Sequence, residues 1–247
     1  MLVASIHGLR YCRLLTDRFT AEEGQHLASE FDYVFAVCYQ GCGAPMFETV
    51  QKNACLIDLR TGAEAAFSRF HATARNEVRR AGKIEGLRFD HGPGSDFLAY
   101  FPFYKACENA RDWFPVPEDE FYNSLIFIAF YDEKPISGMS AYRHEDRLRV
   151  GRIFSLKKAN DNPAQNNLLF GCAAKRIVYD ICRYGEMQGC QSLDLGGLDL
   201  DSPEKSGIAR FKLSLGGQVA PVALARYANE RFHKMSPSIR EAGYDIT

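Results

Sequence analysis

The sequence predicts a mixed α/β protein of the α+β kind, with a mixed central sheet flanked by helices. Three observations carry this: an antiparallel run of three strands, a long helix directly after it, and a further strand after that helix. Residues 124–156, SLIFIAFYDEKPISGMSAYRHEDRLRVGRIFSL, are apolar or alternating in three stretches broken at Asp132–Pro135 and His144–Asp146, which reads as a meander. Asn162 followed by Pro163 gives an N-cap and first-turn signature, opening a helix of about 25 residues that ends near Gly189. CQSLDLGG (190–197) is a strand running into a glycine turn. Antiparallel strands, then a helix crossing to another strand, suit this layering, whereas the steady βα alternation of a dinucleotide-binding domain is absent.

The remaining elements follow from periodicity. YVFAVCY (33–39) and ACLIDL (54–59) read as strands separated by a Gly/Pro region. Residues 64–85 read as one helix, because Phe67, Phe70, Ala74, Val78 and Ala81 recur at intervals of three and four, and Gly86 follows as a left-handed stop. Residues 96–111, with Phe97, Tyr100, Phe103 and Tyr104, predict a second helix, and 118–124 a short third. FKLSLGGQVAPVALARY (211–227) reads as a last element completing the sheet, followed by a helical or irregular tail.

Composition narrows the function classes. The 247 residues are 46% hydrophobic and 13% aromatic, enough to bury one generous core or two small ones that share a sheet. Thirty basic and 31 acidic side chains leave a formal charge of −1, so a nucleic-acid partner would have to be held by a local patch. No stretch approaches the roughly 20 apolar residues of a membrane span, and the first residues lack a basic, apolar and small-residue leader pattern; the expectation is a cytoplasmic protein. The eight cysteines are expected as buried thiols, since Cys38 and Cys42 have no second Cys or His pair at ligand spacing, and no metal site is expected. There is no GxSxG elbow, P-loop or HExxH motif.

Three stretches together resemble the Fem-type aminoacyltransferases of the GNAT superfamily, the tRNA-dependent enzymes that build peptidoglycan interpeptide bridges. FHATARNEVRRAGKIEGLRF (70–89) is similar to the family's helix carrying Arg-Asn, a basic pair and a Lys before a Gly. CQSLDLGGLDLDSPEKSGIARFKLSLGGQ (190–218) is similar to its Asp-x-Gly-Gly turn, Gly-Ile and Phe-Lys ahead of Gly-Gly, and the segment between agrees in the order and spacing of elements. The resemblance covers about residues 60–220. It implies a GNAT-like transferase domain over 60–220, a reduced N-terminal region over 1–59 packed on it, and a tail over 221–247. It also implies an enzyme that needs no cofactor, moving an aminoacyl group from aminoacyl-tRNA to an amine-bearing acceptor: a peptidoglycan precursor, a cell-surface glycan or a related metabolite.

In such folds two adjacent parallel strands splay, and the acyl group lies against the backbone N–H groups exposed there. The resemblance makes Phe211 and Lys212 the catalytic pair, with Lys212 stabilising the acyl group or tetrahedral intermediate. On a strand the two would face opposite ways, and the plainer reading is a core Phe beside an exposed Lys. Arg75, Arg79 and Lys83, at i, i+4 and i+8, form a stripe that suits tRNA phosphates and equally the solvated face of an amphipathic helix; Asn76 is expected nearer the core edge. Asp194, Gly196 and Gly197 end a strand where backbone can approach a ligand, or where Asp194 caps a backbone N–H in a tight turn. Asp199, Asp201 and Glu204 are candidate bases. Tyr142 and Ser155 on the meander, and Gln165, Asn166 and Asn167 at the long helix, are carried over as substrate-facing. A CoA-dependent acyltransferase remains the alternative, although LKKANDNPAQNNLLFG lacks the Gly pair of a pyrophosphate turn and offers only Lys157 and Lys158 near a helix start. An inactive binding module on the same fold is the third reading.

Overall fold

Strands from both ends of the chain meet in one ten-stranded mixed sheet, ordered β1-β2-β3-β10-β4-β9-β8-β7-β6-β5. The computed structural model describes residues 1–111, 113–156, 163–199 and 206–244. In chain order the elements are β1 (Leu2–Ile6), β2 (Leu9–Thr16), α1 (Ala21–Glu30), β3 (Tyr33–Cys38), β4 (Glu48–Asp58), α2 (Ala63–Ser68), α3 (Ala72–Ala81) and β5 (Leu87–Pro93). A 3₁₀ helix (Gly94–Tyr100) leads into α4 (Phe101–Asn109) and α5 (Glu118–Tyr122). Then come β6 (Leu125–Tyr131), β7 (Lys134–His144), β8 (Arg147–Ser155), α6 (Pro163–Met187), β9 (Ser192–Leu198), α7 (Ser206–Ser214), β10 (Gln218–Ala228) and α8 (Glu230–Glu241).

The expected mixed sheet flanked by helices is present. The meander forms as β6, β7 and β8, antiparallel throughout, and α6 runs 25 residues from Pro163. β6 is covered on both faces, which is why LIFIAFY reads as an unbroken apolar run. Its Phe127 and Ala129 join Phe70, Ala74, Val78, Ala173, Ile177 and Leu193 in a core shared with α2, α3 and α6. The alternate residues Ile126, Ile128 and Phe130 pack with Phe97, Tyr104 and Phe121 on the other side. Seven of the eight cysteines are buried, all eight as free thiols.

Three expectations need correction. The predicted helix 64–85 is two helices, α2 and α3, broken at Arg69–His71. The cause is tertiary: the His71 N–H donates to the Ser214 carbonyl at the end of α7 (2.8 Å), and Arg75 turns back to cap the Ser68 carbonyl (2.9 Å) and the Phe70 carbonyl. The region 96–111 opens as a 3₁₀ turn before α4, with Pro102 in the first turn of that helix. Phe211 and Lys212 lie on a helix, not a strand. Ala209, Lys212 and Leu215 are all buried, a spacing of three that belongs to a helical face, and Gly216, at φ +69°, supplies the left-handed stop. Within 211–227, expected to complete the sheet, β10 does so, entering its middle antiparallel to both β3 and β4.

The first 30 residues form β1, β2 and α1, which periodicity alone did not mark. The signal present was Thr20-Ala-Glu-Glu23, a complete capping box: Thr20 Oγ1 accepts from the Glu23 N–H (3.2 Å) and the Glu23 carboxylate accepts from the Thr20 N–H (2.8 Å).

Candidate active site at a splayed parallel strand pair

β8 and β9 are parallel neighbours for three residue pairs only, Arg147–Ser192, Leu148–Leu193 and Arg149–Asp194. Beyond them the strands part, each leaving at a bulge. On β8 the register with β7 slips between Ser140 and Ala141, and the Arg152 N–H donates to Ser140 Oγ (3.0 Å). On β9 the register with β4 jumps from Leu56–Asp194 to Ala54–Gly197, so Leu195 and Gly196 stand opposite Cys55 alone. Gly196 sits at φ +84°, in the left-handed region that glycine adopts without strain. Bulges of this kind re-aim a strand next to a site; here two of them open the sheet.

A cavity of about 960 Å³ fills the opening. Val150–Ile153 of β8 and Leu195–Gly197 of β9 form its sides, and Ile208, Phe211 and Lys212 of α7 form one wall. Because successive residues of a helix are about 100° apart, Phe211 and Lys212 share this wall, and the opposite-face problem of a strand does not arise. A second cavity of about 720 Å³ lies beside Gln51–Ala54 and shares Arg149, Gly197, Ile208 and Lys212 with the first. Lys212 therefore stands between the two.

The electrostatics are one-sided. Arg13, Arg111, Arg149, Arg152 and Lys212 line the larger cavity; among the described residues Glu120 is its one carboxylate. Lys212 is 7% exposed and Nζ donates to the Gly197 carbonyl (2.7 Å). Burial and then the Arg149 guanidinium push its ammonium down from the ordinary lysine range. Arg149 is held by Asp194, which also accepts from Tyr39 Oη (2.8 Å) and from the Gly196 N–H (2.6 Å). Burial opposes the charge on Arg149 most strongly of any single cause, but Asp194 together with Tyr142 and Tyr39 outweighs it and keeps the guanidinium protonated. Asp194 is fully buried behind the cavity, so of its two sequence readings the backbone cap is the one realised. Elsewhere in the lining Glu120 accepts from Tyr11 Oη (2.9 Å) and from Arg13 Nε (3.1 Å to Oε1, 3.2 Å to Oε2).

Of the residues singled out in the sequence, Lys212, Phe211, Gly196, Gly197 and Tyr142 line the larger cavity. Ser155 lies one contact away, accepting from Arg111 Nη2 (2.8 Å). Arg75, Asn76, Arg79 and Lys83 line neither cavity. The reason is that α3 packs against α6 through Ala74, Val78 and Ala81; Arg75 caps α2, Arg79 lies over the Phe67 ring (5.5 Å), and Asn76 and Lys83 are exposed. Asn76 thus sits in solvent, not at a core edge. Asn167 is exposed on α6, Asn166 is buried, and Asp199 borders the second cavity. Lys157, Lys158, Asp201, Glu204 and the side chain of Gln165 lie outside the described residues.

Sequence reasoning missed Arg149, Arg13, Glu120 and Tyr39. One signal was available for the first: RLRVGRIF puts three arginines on a strand between two core strands, where charge is rarely placed without a task. Glu120 and Arg13 are 107 residues apart in sequence, and no local pattern joins them.

No protein-family model and no curated protein matches the chain. Solved structures do. FemX superimposes with a TM-score of 0.57 over 97% of this chain and 85% of its own, at 11% identity. The C-terminal DUF2156 domain of a protein assigned as a lysylphosphatidylglycerol synthetase from Agrobacterium fabrum gives 0.57 over 96% and 84%, at 12% identity. L-PGS from Bacillus licheniformis gives 0.54 over 98% and 85%, at 13% identity. The chain shares its fold with these proteins. The common architecture takes in nearly the whole chain, β1 to α8, and is wider than the 60–220 stretch that carries the sequence resemblance. No helix among the described residues is long and apolar enough to cross a membrane.

Proposed function

We propose that this protein is an acyltransferase that moves an aminoacyl group from aminoacyl-tRNA to a primary amine, the acceptor being a peptidoglycan precursor, a cell-surface glycan or a related amine-bearing metabolite. The observation that carries the reading is the meeting of Lys212 and Phe211 with Gly196 and Gly197 at the splayed β8–β9 pair, on a fold shared with FemX and L-PGS.

The chemistry follows from the placement. The acceptor nitrogen attacks the ester carbonyl carbon; a C–N bond forms and the carbonyl electron pair moves onto oxygen. Lys212 Nζ has three protons and gives one to Gly197, leaving donors for that developing oxyanion, where a fixed cation in a water-poor site is most effective. The intermediate collapses by breaking the bond to the ribose oxygen, which leaves with a proton while the new amide nitrogen loses one. Five cations around the cavity also disfavour a charged amine, so the acceptor is bound as the neutral nucleophile without a dedicated carboxylate base. The two cavities on either side of Lys212 suit a reaction of two substrates, with the acyl group on the splayed-strand side.

Transfer of radiolabel from a mixed pool of charged tRNAs to candidate amines, with an RNase-treated pool and acyl-CoA as parallel donors, tests this. Transfer abolished by RNase supports it, and transfer from acyl-CoA alone reassigns the donor.

A further inference from the structure

Glu120 is the one anionic group that an incoming ligand meets in the larger cavity among the described residues, against five cations. Its carboxylate is 6% exposed with the rest of the residue, anchored by Tyr11 Oη and Arg13 Nε, and so cannot swing away. Those two donors do not saturate it. A carboxylate offers about four lone-pair positions, Oε2 accepts from both partners, and Oε1 accepts only from Arg13. Arg13 keeps its charge because Glu120, Tyr11, Tyr142 and Tyr33 together outweigh the burial that opposes it. The result is a fixed, partly unspent anion in the cavity lining.

A free α-ammonium brought into this cavity meets a carboxylate, among the described residues, only at Glu120. We infer that Glu120 is the specificity-determining residue that receives the α-ammonium of the carried aminoacyl group, so that the protein accepts donors with a free amino group and rejects N-acylated ones. The inference rests on the reading of the cavity as the acyl-donor site. Glu120 takes no part in bond making; it orients the aminoacyl group so that the ester carbonyl faces Lys212.

Trp113 is the chain's only tryptophan, is half-exposed and lines the same cavity, so its fluorescence reports entry. The probes are L-amino-acid methyl esters with small, aromatic and basic side chains, each paired with its N-acetyl counterpart. Wild type is expected to bind at least one free ester about tenfold more tightly than its N-acetyl form, the scale of one charge-assisted hydrogen bond. Glu120→Gln is expected to bring the pair within about threefold by weakening only the free ester. Since Glu120→Gln leaves Arg13 without its partner, Arg13→Met combined with Glu120→Gln, which removes both charges, is measured beside it, and Glu120→Asp is expected to keep part of the preference. A preference that survives in both Gln variants, or is missing from wild type that binds free and blocked esters equally, overturns the assignment of Glu120. Wild type that binds no ester of either kind overturns the donor-site reading together with it.

Discussion

The molecule builds the same polar set twice: Tyr39, Asp194 and Arg149 on one side of the cavity, Tyr11, Glu120 and Arg13 on the other. In each, a tyrosine hydroxyl, buried at Tyr11 and half-buried at Tyr39, and an arginine converge on a carboxylate. They differ in what the carboxylate has left to give. Asp194 is wholly enclosed and also holds the Gly196 N–H, so it fixes backbone geometry at the splay. Glu120 has no backbone to hold with its carboxylate and faces the cavity. Enclosure makes one set a structural clamp, and a single open wall makes the other a ligand contact.

Charge removal should separate them most sharply. Asp194→Asn leaves the buried Arg149 unpaired and frees the Gly196 turn, and is expected to cost about 3–5 kcal/mol in denaturant unfolding together with transfer. Glu120→Gln, whose carboxylate lines the cavity and accepts only from the side chains of Tyr11 and Arg13, is expected to cost less than that; equal losses would erase the distinction. Tyrosine removal is the next step down: Tyr39→Phe deletes a hydrogen bond to a buried carboxylate and is expected to cost about 1.5–3 kcal/mol.

Alkaline titration reads the same clamp. Burial first, and then the Asp194 carboxylate, hold the Tyr39 hydroxyl protonated well above the usual phenol range; burial and Glu120 do the same for Tyr11. The unfolded chain gives up those protons near about pH 10. Stability from both groups is therefore intact below that pH and falls as pH rises above it, and thermal melts of Tyr39→Phe should show a shallower alkaline fall than wild type. The smallest expected effect is kinetic: because burial and Arg149 lower the Lys212 ammonium, the basic limb of the transfer rate should lie below the ordinary lysine value of about 10.4.

Sequence periodicity recovered what local physics determines. α6, with its Pro163 start, and the β6–β8 meander are where it put them, because their apolar patterns agree with their final burial. The resemblance added Phe211, Lys212, Gly196 and Gly197, which the fold does bring to one cavity. The failures come from long-range contacts. The break between α2 and α3 depends on the Ser214 carbonyl, more than a hundred residues away, and FKLS looks like a strand until Ala209 and Leu215 are counted with it. The Arg75–Lys83 stripe has the spacing of a phosphate-binding face, yet α3 is committed to α6 and its cations to caps, rings and solvent.

Single-turnover transfer by Lys212→Ala, with donor binding matched to wild type through Trp113 fluorescence, bears most directly on the claim that the splayed-strand cavity is where the acyl group moves. The account predicts binding within about twofold of wild type and transfer slowed by about 10²–10³, the scale of losing one oxyanion donor. Transfer at the wild-type rate from a fully bound donor would contradict it.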